Sequence, residues 1–132
     1  MRNIIIVIFI NLLLVACTSK PILNINNSNV PTAINGERLS IEQVQRAIFS
    51  ACARKGWSPR LIKPGLIEAS ISVRSHQATV DIPFDTNSFS IHYKSSNNLN
   101  ADNDSIHRNY NNWVLKLSRT IQKELGVNSQ TY

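Results

Sequence analysis

Three consecutive stretches of the chain alternate apolar and polar residues. They run from residue 66 to 74, from 78 to 84 and from 89 to 93. A period of two places all the apolar side chains of a strand on one face of a sheet, so each stretch predicts a strand with one buried side. The short, polar connections between the stretches predict an antiparallel meander.

The connections also predict the register of this meander. A two-residue turn would pair Val73 with Ala78, and a four-residue turn would pair Phe84 with Phe89. Both registers keep the apolar residues on one face, as expected where that face is buried. Pro83 would lie in the central strand and lacks the N–H that a ladder needs, so we expect the sheet to fray or bulge at that end.

Two segments with helical spacing flank the strands. The first begins at Ser40, which forms a capping-box pattern with Gln43, and it ends at Gly56. The second begins near Ile106 and ends at Gly126. The sequence therefore predicts a two-layer α+β domain, in which an antiparallel meander of three to four strands carries an N-terminal and a C-terminal helix on one face.

The pattern also predicts the limits of this domain. It spans residues 39–127, with a short edge strand over 57–62 as the fourth strand, and residues 128–132 form a disordered tail. Residues 17–38 are rich in Asn, contain two prolines and show no sustained period. Such a composition is typical of a flexible tether.

The first sixteen residues have the pattern of a secretion signal. Arg2 precedes an apolar run that is too short to cross a bilayer core. The run closes with Leu14, Val15, Ala16 and Cys17, and this ending resembles the lipobox of bacterial lipoproteins. The resemblance implies a diacylglyceryl group on the sulfur of Cys17. It also implies that signal peptidase II recognises the three preceding residues and cuts before Cys17, and that the new amine is then acylated, commonly by palmitate. The alternative is an ordinary signal peptide with a chance cysteine.

A lipid on Cys17 implies a membrane as the first partner. By resemblance to enterobacterial sorting, Thr18 after the cysteine favours the outer membrane, with the domain facing the periplasm. The chain carries a formal net charge of +6, and processing would remove only Arg2 among its charged residues. A basic protein in this place attracts anionic envelope components, and another envelope protein is the second expected partner. No nucleic acid is expected there.

The stretch IHRNYNNWV over residues 106–114 is the most distinctive of the domain. Together with Lys55-Gly56-Trp57, the turn Pro64-Gly65 and residues 93–99, it resembles a group of small proteobacterial lipoproteins with an IH..YN.WV helix. The resemblance covers roughly residues 39–125. It supports the domain and its anchor without supplying an activity.

No catalytic residue, metal site or cofactor is predicted. Ser70, Asp81 and His92 would form a row across the polar face of the sheet, but a catalytic triad needs its histidine in the middle. The three histidines are scattered and no cysteine pair is spaced for a metal. A non-enzymatic binding or assembly module is therefore the leading function, and a small envelope hydrolase or transferase is the alternative.

Five polar residues are candidates for binding a partner: Arg74, His92, Lys94, His107 and Asn111. Arg74 and Lys94 are expected to project from neighbouring positions on the polar face. His107 and Asn111, one helical turn apart, are expected to share a surface with the loop before them. Cys52 lies on the apolar stripe of the first helix, so we expect it to be a small, buried hydrophobic residue; an intermolecular disulfide is the alternative.

Overall fold

The computed structural model of the chain describes residues 18–129, and the side chains of residues 18–127. The predicted signal peptide, its recognition residues and Cys17 lie outside the described residues. Nine elements follow one another in the described part: β1 (Ser19–Pro21), β2 (Ile25–Asn29), α1 (Ile41–Arg54), β3 (Trp57–Lys63), β4 (Leu66–Val73), β5 (His76–Pro83), β6 (Ser88–Asn97), β7 (Ser105–His107) and α2 (Arg108–Ser129). No described helix is both long and apolar enough to span a membrane.

Five strands form the main sheet in the order β2-β6-β5-β4-β3, and all of its pairings are antiparallel. Strands β3 to β6 are a meander, and the stretch predicted as a short edge strand is β3. Strands β1 and β7 pair separately in a two-stranded sheet. The predicted α+β class, with a helix before and a helix after the meander, is confirmed.

The register of the second hairpin is confirmed, because Phe84 bridges to Phe89 as predicted. The register of the first hairpin was wrong by two residues, since Val73 pairs with His76 and the turn consists of Arg74 and Ser75. Arg74 takes a left-handed φ of 57°, a conformation that two-residue hairpin turns need and that usually selects Gly, Asn or Asp. A shift of two residues keeps each side chain on its predicted face.

The β5–β6 ladder contains two irregularities. Thr79 pairs with Ser95 and Val80 pairs with Tyr93, so Lys94 is the extra residue of a bulge. Regular pairing stops at Asp81, two residues before Pro83, and only an isolated bridge follows. The predicted irregularity at the Pro83 end is confirmed.

The apolar face of the sheet and the two helices share one core. Helix α1 begins with the predicted capping box, in which the Gln43 amide donates to Ser40 Oγ at 3.1 Å and the Ser40 amide donates to Gln43 Oε1 at 2.7 Å. Residues from α1, from the strands and from α2 are fully buried in this core: Val44, Ile48, Cys52, Ile67, Val80, Ile82, Phe89, Ile91, Tyr110, Val114, Leu117, Ile121 and Leu125.

Both predicted ends of α2 need correction. Ile106 lies in β7, opposite Lys20, and the helix begins at Arg108. Gly126 lies within the helix, which continues to Ser129, so the stop at Gly126 and the start of the tail at residue 128 were wrong. A glycine inside a helix costs only about 1 kcal/mol, and no proline follows to break this one. Residues 130–132 lie outside the described part.

The described part of the predicted tether is also folded. Residues 18–38 contain β1, β2 and a bridge from Thr32 to Arg38, and Val30 is only 3% exposed. The prediction of a flexible tether was therefore wrong over this range. An edge strand is held by backbone hydrogen bonds to its neighbour, so a polar, Asn-rich sequence can form one without an alternating pattern.

Candidate binding surface

The polar face of the sheet carries a different row of residues from the predicted one. Glu68 pairs with Asp81, and Asp81 pairs with His92, whereas Ser70 pairs with Thr79. The two hydroxyls of Ser70 and Thr79 are hydrogen-bonded to each other at 2.9 Å. His92 Nε2 lies 2.9 Å from Asn26 Oδ1 on β2. Because of the two-residue register shift, the predicted row of Ser70, Asp81 and His92 does not form.

Lys94 belongs to an ion-pair network on this face. Its Nζ lies 2.6 Å from Glu68 Oε2 and 3.6 Å from Asp81 Oδ1, and Arg60 Nη2 lies 2.8 Å from Glu68 Oε1. The hydrogen bonds from Lys94 and Arg60 lower the pKa of Glu68, and the bond to Glu68 raises the pKa of Lys94. The positive charge of Lys94 is thus balanced within the sheet.

Arg74 lies far from Lys94. It follows the last residue of β4, whereas Glu68, the partner of Lys94, lies six residues earlier, and this separation is roughly 20 Å along a strand. The prediction that Arg74 and Lys94 occupy neighbouring positions was wrong. Arg74 lies instead beside α2, since the β4–β5 turn and the start of this helix line a common depression.

We call this depression the basic groove. Its volume is about 300 Å³, and six polar or aromatic residues line it: Arg74, His76, Asn109, Asn112, Trp113 and Lys116. No carboxylate is among its lining residues, and neither Arg74 nor Lys116 belongs to any of the ion pairs found within the described residues. Trp113 is half-buried and packs against the core, so the core contact predicted from its spacing is present, but part of the residue stays exposed. The cations of the groove can attract an anion, and the indole ring of Trp113 can contact it.

Two histidines connect the groove to the N-terminal segment. The rings of His76 and His107 stack with centroids 6.4 Å apart and planes inclined by 16°. His76 Nδ1 donates to the carbonyl of Asn98 at 2.6 Å, and His107 Nδ1 accepts from the Asn109 amide at 3.2 Å. His107 lies in β7, opposite Ser19. The predicted candidate His107 therefore adjoins the groove through His76.

Asn111 has an internal role. Its Oδ1 accepts from the Leu23 amide at 3.0 Å, and its Nδ2 donates to the Pro21 carbonyl at 2.8 Å. The side chain thus holds the segment after β1 against α2 with both of its polar atoms. Although this residue was predicted to bind a partner, its amide is already engaged within the chain.

The outer side of α2 extends the positive surface beyond the groove. Its exposed positions from the start of the helix to Lys123 are Arg108, Asn112, Lys116, Arg119 and Lys123, which we call the α2 stripe. The acidic residue of the helix, Glu124, pairs with Arg54 at 2.7 Å. Sequence reasoning overlooked this stripe, although cations at spacings of three and four within a predicted helix were a visible signal.

Another cavity has a mixed lining. It measures about 400 Å³ between residues 33–38 and the start of α1, and Glu37 lies in its wall with Arg38 and Arg46. A further cavity, of about 330 Å³, lies where Lys55 of the α1 end meets Thr120 and Lys123. Glu124 and Arg54 also line the second cavity, so each of the two cavities holds a carboxylate among its cations.

Chemically reactive groups are few in the described part. Cys52 is fully buried, and burial raises the pKa of its thiol to about 12, so the prediction of a core residue is confirmed and a disulfide between chains would require unfolding. Among the described residues, no three His, Cys, Asp or Glu side chains are grouped to hold a metal. Comparison with protein-family models, curated proteins and solved structures gave no match to the chain.

Proposed function

We propose that this chain is an envelope lipoprotein, held by a lipid on Cys17 to the outer membrane and facing the periplasm, and that its domain is a non-enzymatic binding module. The basic groove and the α2 stripe form the binding surface, and their ligand is an anionic component of the envelope. The observation that carries the proposal is the separation of charge in the domain. Lys94 on the sheet is balanced by Glu68 and Asp81, whereas Arg74 and Lys116 face the groove without a carboxylate.

The anchor rests on the Leu14-Val15-Ala16-Cys17 pattern after a short apolar run. The domain is compatible with it, because Thr18 begins the described part at the surface, next to the start of α2. An anchored protein meets its ligand at high local concentration, so a shallow and positive surface can suffice for binding.

An enzyme has less support. His92 lines a cavity with Asp85 and Ser88, whereas His107 adjoins the basic groove through His76, so the two histidines that a hydrolase or transferase would use lie at different places. The thiol of Cys52 is buried and protonated at neutral pH. A binding module is therefore the better proposal.

Two measurements test the proposal. The mass of the mature N-terminus should show cleavage before Cys17 and the attached acyl chains, and Cys17→Ser should abolish lipidation and leave an unprocessed or mislocalised precursor. An unmodified Cys17, or cleavage elsewhere, would contradict the anchor. Recovery in the inner membrane would contradict the outer-membrane location.

The binding surface is tested with a double charge reversal, Arg74→Glu with Lys116→Glu. The matched control is Arg46→Glu with Lys63→Glu, two exposed cations outside the groove that give the same net charge. We expect the first pair alone to weaken capture of anionic envelope material, and the capture to fall as salt rises. Equal losses in the two double variants would mean that total charge, and not the groove, attracts the ligand.

A further inference from the structure

We infer that the anionic ligand of the basic groove is the phosphate layer of the bilayer that holds Cys17, so that the domain lies directly against its own membrane. This inference rests on the proposed lipid anchor. A flexible tether would hold the domain at a distance from the membrane, whereas the inferred contact turns one fixed face of the domain toward the lipid.

The first step is the short distance between anchor and fold. The carbonyl of Thr18 accepts from the Arg108 amide at 2.8 Å, and Ser19 pairs with His107. Thr18 directly follows Cys17 in the sequence, and consecutive Cα atoms are about 3.8 Å apart, so the chain joins the fold one residue after the proposed attachment point. Asn111 fixes the residues that follow, at Pro21 and Leu23. Little slack therefore remains between the anchor and the domain.

The second step places the groove at the same end of the molecule. Asn109, which lines the groove, follows directly after Arg108, whose amide binds Thr18. The ring of His107, opposite Ser19, stacks on His76 in the groove wall. A short chain of contacts thus leads from the anchor into the groove, and acyl chains that enter a bilayer from Cys17 bring the groove to the headgroup layer.

The third step is the chemistry of the groove. The guanidinium of Arg74 and the ammonium of Lys116 are suited to phosphate oxygens, and two further exposed cations, Lys20 and Arg108, lie close to Thr18. The half-buried indole of Trp113 has the apolar body and polar N–H that favour the interface between headgroups and acyl chains. Asp102 and Asp104 lie in the loop before β7, but neither lines the groove, and Asp102 accepts from the amides of Asp104 and Ser105. A basic patch beside a lipid anchor is a common second signal for membrane attachment.

The experiment uses the chain expressed with its own leader, isolated from membranes and reconstituted into vesicles. One set of vesicles is phosphatidylcholine alone and the other includes phosphatidylglycerol; both contain lipid brominated near the headgroup, which quenches tryptophan at that depth. Trp57 is 3% exposed and serves as the internal background. We expect quenching of Trp113 in the anionic vesicles, less in phosphatidylcholine, and loss of the difference in Trp113→Phe.

The charge variants identify the surface responsible. Arg74→Glu with Lys116→Glu should reduce quenching to the level of Trp113→Phe, whereas Arg46→Glu with Lys63→Glu should retain it. Circular dichroism checks each fold, and Arg74→Gln with Lys116→Gln replaces the reversal pair if that pair fails to fold.

The outcomes separate this inference from the proposed anchor. A chain with lipid on Cys17 that shows no quenching of Trp113, or equal quenching in both vesicles, overturns the inference and leaves the anchor intact. A change in Trp113 fluorescence caused only by a soluble acidic glycan assigns the groove to that glycan and also overturns it. An unmodified Cys17 overturns the anchor and the inference together.

Discussion

Asn111 shows how one side chain can determine the behaviour of a whole segment. Its side-chain amide accepts a hydrogen bond from the backbone of Leu23 and donates one to the backbone of Pro21. These two bonds hold the N-terminal segment on the surface of α2, as the backbone of a neighbouring strand would. Leu23 and Pro21 lie 88 and 90 residues before Asn111 in the chain, and no local pattern marks them as its partners. Sequence reasoning could identify an unusual Asn but could not tell an internal bond from a ligand contact.

The first prediction concerns this residue. Asn111→Ala should lower the free energy of unfolding by about 1–3 kcal/mol, because a partly buried donor and acceptor lose their partner. The exposed Asn112, its neighbour in α2, is the control, and Asn112→Ala should change stability by less than about 0.5 kcal/mol. Urea denaturation measures both variants, and hydrogen exchange should show faster exchange at residues 19–23 in Asn111→Ala alone. Identical exchange in the two variants would contradict the internal role.

At the scale of elements, local signals predicted what local interactions determine. The capping box at Ser40 predicted the start of α1, and the alternation of apolar and polar residues predicted which face of each meander strand is buried. The first hairpin was misplaced because Arg74, and not a Gly or Asn, takes the left-handed position of its turn. The bulge at Lys94 and the pairing of β1 with β7 depend on neighbours distant in sequence, so neither leaves a periodic trace.

The second prediction concerns the ion pairs of the sheet. The pKa of Glu68 is lowered in the folded chain by Lys94 and Arg60, so its contribution to stability is present above the ordinary pKa of 4.5 and is lost as the pH falls through the lowered value. Glu68→Gln should therefore reduce stability at pH 7, and the difference from wild type should shrink as the pH falls below about 4. Urea denaturation across this range measures the effect. A difference that stays constant with pH would mean that the charge of Glu68 contributes nothing.

At the scale of the whole molecule, the candidate surface was predicted only in part. Arg74 and His107 belong to the groove or adjoin it, whereas Lys94 and His92 are engaged on the sheet. The groove forms where a hairpin turn meets a helix that begins more than thirty residues later, and only tertiary packing brings the two together. The lining residues of α2 were visible in the sequence, but their shared surface with Arg74 was not.

The third prediction tests the N-terminal segment as part of the fold. Deletion of residues 19–29, with Cys17 and Thr18 kept, should lower the melting temperature and cause aggregation that grows with concentration, because it uncovers the edge of β6. A true tether would tolerate the same deletion. Ile34→Ser is the control, since Ile34 lies in the same region but is 78% exposed. Calorimetry and size-exclusion chromatography measure both, and an unchanged melting temperature for the deletion would contradict the folded role.

The pairing of β1 with β7 also sets an order in time. If the chain is exported from its N-terminus, as the proposed anchor requires, residues 18–23 emerge well before residues 105–111, which are their partners in the folded domain. Until those partners emerge, residues 18–23 have nothing to pair with, so they would not hinder the enzymes that the proposed lipidation and cleavage need. Folding would then pair this segment with β7 and α2 after those reactions. In the proposed lipoprotein, the contact that holds the N-terminal segment against the domain would thus form only after processing.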